Sequence, residues 1–194
     1  LSIRRQRQMC IRDRNTMALE KTPLCNFGEK AKDFNLKSID ENKYSLKDIV
    51  GINGTLIMFI CNHCPYVRAI SREIGETAVE LKKYKINVAA IMSNDFLNYP
   101  DDSFDNMKIF AKQNNFIFPY LIDESQEVAK NYGAVCTPDF FGYNSNNELQ
   151  YRGRLRPLKD LKPVINSENE LLKAMIEISM TGVGPKEQYP SMGC

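Results

Sequence analysis

Histidine is almost missing from this 194-residue chain; His63 is the only one. That excludes a metal centre built on several imidazoles, including a copper site that pairs cysteines with a distant histidine. Long apolar runs are missing too. The longest, residues 56–61, has the length of a buried strand, far short of the ~18 residues that suggest a membrane-spanning helix. Repeats and low-complexity segments are absent. Positive charge is scarce outside the first residues: 1–16 hold five arginines against Asp13, and removing that +4 from the total of +2 leaves 17–194 at about −2. A nucleic-acid-binding surface and a membrane partner are therefore not expected.

The segment "LSIRRQRQMCIRDRNT" lacks the apolar stretch of a signal peptide and shows no periodicity. It resembles a translated sequencing adapter, with a disordered basic arm as the alternative, and an ordinary protein start follows at Met17. Residues 1–16 are thus expected to be a non-native or disordered tail, and 17–194 a single domain. Setting Cys10 aside with the tail leaves Cys25, Cys61, Cys64, Cys136 and Cys194. An odd count with one tight pair does not suit a secreted disulfide scaffold, and a reducing, cytoplasmic setting is expected.

Along the chain, two short strands near 34–36 and 43–45 flank a polar turn. Residues 54–60 read as a strand buried on both faces, 65–84 as a helix with apolar residues every three or four positions, and 86–93 as a second buried strand. A helix over 103–115 capped by Ser103, a strand at 119–123, a helix at 125–133 stopped by Gly133, a hairpin around "NSNN" and a helix over 167–179 complete the order. The pattern ββ, βαβαβα, hairpin and helix predicts a three-layer α/β domain with a mixed sheet, helices on both faces and an N-terminal β-hairpin.

Chemistry concentrates at "FICNHCPYV", residues 59–67. Pro65 is tolerated only in a first helical turn, so the two cysteines stand at the junction of buried strand and helix. Free N–H groups and the positive end of the helix dipole favour a thiolate there. Cys61 is expected to be the exposed nucleophile and Cys64, one turn in, the buried resolving thiol. His63 between them, if protonated, stabilises the thiolate. The second feature is "GAVCTPDFF", 133–141: a Thr137–Pro138 bond before a strand reads either as a cis peptide facing the dithiol or as a trans proline at a sheet edge. Cys136 reads as an accessory redox thiol or an apolar filler, and Cys194 as a tail-borne thiol able to reach the site. Arg152 and Arg154 are read as solvating a strand end.

These elements resemble the thioredoxin-like superfamily, in which C-x-x-C opens the first major helix and a cis-proline lies opposite. The resemblance is closest to peroxiredoxin-like, AhpC/TSA-type proteins, carried by "FICNHCPYV" with its CNHCPYV motif, "SNDFLNYPDDS", "FPYLIDESQEVAKNYGAVCTPDFF", "YRGR" and the final Pro190-Ser191-Met192-Gly193-Cys194. It covers about 24–194. Family members usually continue past that last cysteine, which implies a domain truncated at its C-terminus. The resemblance implies a thioredoxin-like fold and redox chemistry with no cofactor beyond a Cys61–Cys64 disulfide. Two departures stand out. The peroxidatic P-x-x-x-T-x-x-C fits neither frame: counted from Cys64 it meets Cys61 and Ile57, and from Cys61 it meets Met58 and Gly54. The buried Asp that thioredoxins carry six residues before the first cysteine is Thr55 here, with Asp95 a candidate substitute or a simple loop cap.

A zinc site needs four ligands, and only Cys136, Cys194 and His63 remain to join the pair, so no metal is expected. The leading expectation is a thiol–disulfide oxidoreductase serving redox homeostasis. In it Cys61 attacks, Cys64 resolves, and the backbone of Thr137 and Pro138 holds the substrate chain. Its partners are protein or small-molecule disulfides and a thiol reductant such as thioredoxin or glutathione. The alternatives are an antioxidant thiol peroxidase acting on peroxides through a Cys61 sulfenic acid, an inert buried pair, and a redox-inactive interaction module.

Overall fold

Alternation along the central strands dictates the layering. In β4 (Gly54–Phe59), buried throughout, Leu56 and Met58 face one helical layer while Ile57 and Phe59 face the other. In β5 (Ile86–Met92), Val88 and Ala90 join the first face, Ala89 and Ile91 the second. The computed structural model describes residues 19–194; the tail expected over 1–16, with Cys10, lies outside them.

Around these strands stands a seven-stranded mixed sheet of order β3-β2-β6-β5-β4-β7-β8. Its other members are β2 (Asn35–Ser38), β3 (Lys43–Ser45), β6 (Tyr120–Ile122), β7 (Asp139–Tyr143) and β8 (Leu149–Tyr151). The core β4, β5 and β6 run parallel, while β2–β3, β2–β6, β4–β7 and β7–β8 are antiparallel. The N-terminal hairpin and the antiparallel flank are thus as the sequence suggests. Helices α2 (Pro65–Lys83), α3 (Phe104–Gln113) and α5 (Glu170–Thr181) cover one face through Val67, Ile74, Met107 and Met175. The one-turn α1 (Leu46–Ile49) and α4 (Glu127–Tyr132) cover the other through Ile49, Val128 and Tyr132.

Several details differ from the sequence reading. Ser103 stands at the N-cap of α3, but its side chain makes no cap hydrogen bond. Helix α1 was not expected; it starts where Asp48 accepts from the Ser45 N–H at 2.8 Å and the Ser45 hydroxyl at 2.7 Å. Gly133 does end α4, in a left-handed conformation at φ 65. Two small ribbons were also not expected: β9 (Leu158–Lys159) with β10 (Lys162–Pro163), and β1 (Glu20–Lys21) with β11 (Met192–Gly193). Among the described residues no helix is long and apolar enough to cross a membrane.

Candidate dithiol site

Where β4 runs out at Phe59 the chain turns through Asn62 and His63 and enters α2 at Pro65. Proline takes the first helical position, where its missing N–H removes nothing. Cys64 is therefore the N-cap, and its carbonyl accepts the first helical bond from Arg68 N–H at 2.9 Å. Cys61 lies before the helix. This corrects the expectation of an exposed Cys61 at the helix start and Cys64 one turn inside: Cys61 is 1% exposed, Cys64 0%, and the helix amides reach Cys64. The two thiols are not joined in a disulfide.

A fully buried carboxylate pins the turn. Asp102 Oδ1 accepts from the backbone N–H of Asn62 at 2.7 Å and of His63 at 3.2 Å. Its Oδ2 meets His63 Nδ1 at 2.6 Å and accepts from Asn94 Nδ2 at 3.1 Å. The His63 ring also stacks on Tyr99, centroids 4.9 Å apart. Asn62 is tied independently, donating to Asp101 O at 2.9 Å and accepting from the Tyr120 hydroxyl at 3.0 Å. Thus His63 is held toward Asp102, and the ligating atoms of Cys61, His63 and Asp102 lie within 4.8 Å of one another. Asp95 is not part of the site: it caps its own turn through Leu97 N–H and Asn98. Thr55, in the place of the thioredoxin aspartate, accepts from Gly51 N–H at 3.1 Å. Asp102 is the residue that sequence reasoning missed. The "YPDDS" string marks a turn with two acids but carries no signal for which points inward.

The Thr137–Pro138 bond is cis, and its loop faces the dithiol. Thr137 Oγ1 is 3.2 Å from Cys61 Sγ, and the Cys64 thiol in its protonated form donates to Thr137 O at 3.1 Å. The structure thereby brings together Cys61, Cys64, His63, Thr137 and Pro138. Behind the loop, Asp139 pairs with Arg152 at 2.9 Å, and Arg152 also donates to Gly133 O and stacks over Phe141. Arg152 is buried and Arg154 is bound to Glu170 at 2.8 Å, so neither solvates a strand end.

The accessory cysteines separate. Cys136 is buried beside Pro138 O, 3.7 Å away, and burial pushes its thiol up to about 12. Cys194 comes to the dithiol, its Sγ 3.5 Å from Cys64 Sγ. Thr137 N–H donates to Cys194 O at 2.8 Å, and Cys194 N–H donates to Thr137 O at 3.2 Å. Ser191 fastens the same segment, with Oγ donating to Pro138 O at 2.7 Å and N–H to Thr22 Oγ1 at 2.9 Å. Cys25 lies apart, half-buried, its thiol raised to about 11 by burial.

Cys61 and Cys64 differ in acidity. The Cys61 thiol donating to Cys64, and the Val67 N–H beyond it, hold the Cys64 thiol down at about 5 despite burial. Giving that hydrogen bond, burial and the Asp102 charge all push Cys61 up. Cys64 is therefore the more acidic of the two thiols and the first to ionise.

Among solved structures, the chain is similar to an uncharacterized conserved protein from Geobacillus kaustophilus, at 37% identity and TM-score 0.86 over 92% of this chain and 95% of that one. It is similar also to a hypothetical protein from Sinorhizobium meliloti 1021, at 31% identity and TM-score 0.82 over 91% and 96%. A secreted disulfide oxidoreductase from Mycobacterium tuberculosis shares the fold, at 13% identity and TM-score 0.57 over 74% and 94%. No curated protein matches the chain. Residues 27–155, well over half of the sequence, match the AhpC/TSA family model, and the chain belongs to the AhpC/TSA family, with a thioredoxin-like fold.

Proposed function

We propose that this protein is a thiol–disulfide oxidoreductase that works through Cys61 and Cys64. The observation that carries it is the pair's setting: two buried thiols three positions apart, one at a helix N-cap, both within hydrogen-bond reach of Thr137 in the cis-proline loop. As Cys61 attacks a substrate disulfide, its proton passes to the Cys64 thiolate. A Cys61–substrate disulfide forms and one substrate thiolate leaves. Cys64 then gives up its proton, to that thiolate or to the His63–Asp102 couple, and attacks the Cys61 sulfur. This releases the second substrate sulfur as a thiolate and leaves Cys61–Cys64 oxidised. Once the Cys194 segment that engages them lifts away, the main-chain groups of Thr137 and Pro138 hold the substrate backbone beside the sulfurs. A thiol reductant, such as thioredoxin or glutathione, restores the dithiol. Such chemistry suits a reducing, cytoplasmic setting.

Membership of the AhpC/TSA family favours a second reading, thiol peroxidase. Here the Cys61 thiolate attacks a peroxide oxygen, the O–O bond breaks with release of water or an alcohol, and Cys64 condenses with the sulfenic acid, expelling water. The sequence lacks the peroxidatic threonine frame, but the Thr137 hydroxyl stands 3.2 Å from Cys61 Sγ and would take that role. The two are separated by assaying insulin reduction with dithiothreitol against peroxide consumption with a thioredoxin system. Disulfide reduction lost in Cys61→Ser, with no peroxide turnover, is the expected result. Peroxide turnover alone reverses the order. Inactivity in both, with Cys61→Ser unaltered in every readout, means an interaction module.

A further inference from the structure

Strand β11 occupies the place where a substrate backbone would be held. The two Thr137 main-chain groups that flank the dithiol, N–H and C=O, are both engaged by the main chain of Cys194. The fit is built rather than incidental. Ser191 is bonded on both sides, and a Cβ on Gly193 would press into the Thr137 carbonyl, so only glycine lets the strand lie this close. Delivered in this way, the Cys194 sulfur sits 3.5 Å from that of Cys64, against the ~2.05 Å of a disulfide. Cys194 is also half-exposed, whereas Cys61 and Cys64 are buried. A cysteine acting only as apolar filler would need neither the backbone pairing nor the contact with a second sulfur.

We propose that Cys194 is a third redox thiol of this site, which exchanges with Cys64 and carries the oxidising equivalent from the buried pair to the surface. The step rests on the oxidoreductase reading. Once Cys61–Cys64 is oxidised, Cys194 loses its proton and attacks the Cys64 sulfur. The Cys64–Cys194 bond forms, the Cys61–Cys64 bond breaks, and Cys61 departs as a thiolate that takes up the proton Cys194 gave. No electrons enter or leave. The external reductant thiol then attacks the half-exposed Cys194 sulfur, so the buried pair need not be uncovered for recycling. Burial first, and then the Cys64 charge, push the Cys194 thiol up to about 12. Oxidation of Cys64 removes the second of these, so Cys194 becomes a better nucleophile when its target is present.

The test is disulfide mapping that requires no turnover. The reduced full chain is equilibrated with oxidised glutathione, quenched by alkylation and digested without reduction. In the unaltered protein both Cys61–Cys64 and Cys64–Cys194 peptides are expected. Cys61→Ser should convert nearly all oxidised protein to Cys64–Cys194. Gly193→Val, which keeps the thiol but lifts the strand, should lose the Cys64–Cys194 peptide and retain Cys61–Cys64. Cys194→Ser should slow reduction of Cys61–Cys64 by glutathione about 10-fold or more. Cys61–Cys64 forming while Cys64–Cys194 is absent from both the unaltered protein and Cys61→Ser overturns this proposal alone. Cys64–Cys194 forming in a protein that never links Cys61 to Cys64 overturns the oxidoreductase scheme and, with it, the exchange that starts from Cys61–Cys64.

Discussion

Asp102 does at the residue scale what no local motif supplies. One carboxylate with no exposure to water holds two successive amides of the Cys61–Cys64 turn and the ring that separates its cysteines. Replacing it with alanine would leave those buried donors unsatisfied, at about 1–3 kcal/mol for each such group. Asp102→Ala should therefore lower the midpoint of denaturant unfolding, and it should also make Cys61 easier to deprotonate, because the Asp102 charge helps it keep its proton. The sulfurs give a second prediction. The Cys64 thiol, held down at about 5, should ionise first as pH rises, while Cys61 keeps its proton. Thiolate ultraviolet absorbance of the reduced protein should rise by one equivalent as pH increases through about 5, and Cys64→Ser should abolish that step. A first ionisation near the usual ~8.5 of a free thiol would show that Cys64 is not held down.

The loop that carries Thr137 is an element held in place by an ion pair behind it. Asp139 and Arg152 are both buried, with Asp139 also accepting from the Val135 N–H at 3.2 Å. Burial raises the Asp139 carboxyl against the lowering effect of Arg152, so the pair is a costly way to fix a loop. Asp139→Ala should destabilise by about 3–5 kcal/mol because it strands a buried guanidinium. Asp139→Leu combined with Arg152→Met should recover most of that loss in thermal unfolding, while insulin reduction stays impaired because the loop's position relative to Cys61 is no longer specified. Elements of this kind were legible to different degrees. The Cys61–Cys64 junction, the Gly133 stop and the Thr137–Pro138 turn announce themselves through local residue types. The partners of these features do not. Asp102 meets Asn62 from 40 positions away and Arg152 meets Asp139 from 13. Two-residue strands such as β1 and β11 are too short to show any period, so their pairing was invisible in the sequence.

At the scale of the whole molecule, a seven-stranded sheet with helices on both faces supports a site at one end of its central strands, and a separate two-stranded ribbon closes over that site. The ribbon joins Glu20 to Gly193 and Lys21 to Met192, with Thr22 N–H donating to Ser191 O at 3.0 Å. It contributes few buried apolar side chains, whereas β4 and β5 are buried almost throughout. Ribbon opening should therefore cost much less than global unfolding. In native-state hydrogen exchange, the amides of Thr22, Ser191, Cys194 and Thr137 should exchange as one group, well ahead of those of β4 and β5. Exchange of Cys194 at the rate of the central sheet would show that the cover does not lift. The Thr22 hydroxyl reaches across 169 positions to the Ser191 N–H of the segment that delivers Cys194. Residues 20–22 thus form a remote handle on the sulfur chemistry. A binder that grips them would set how often the dithiol meets solvent, without touching any cysteine.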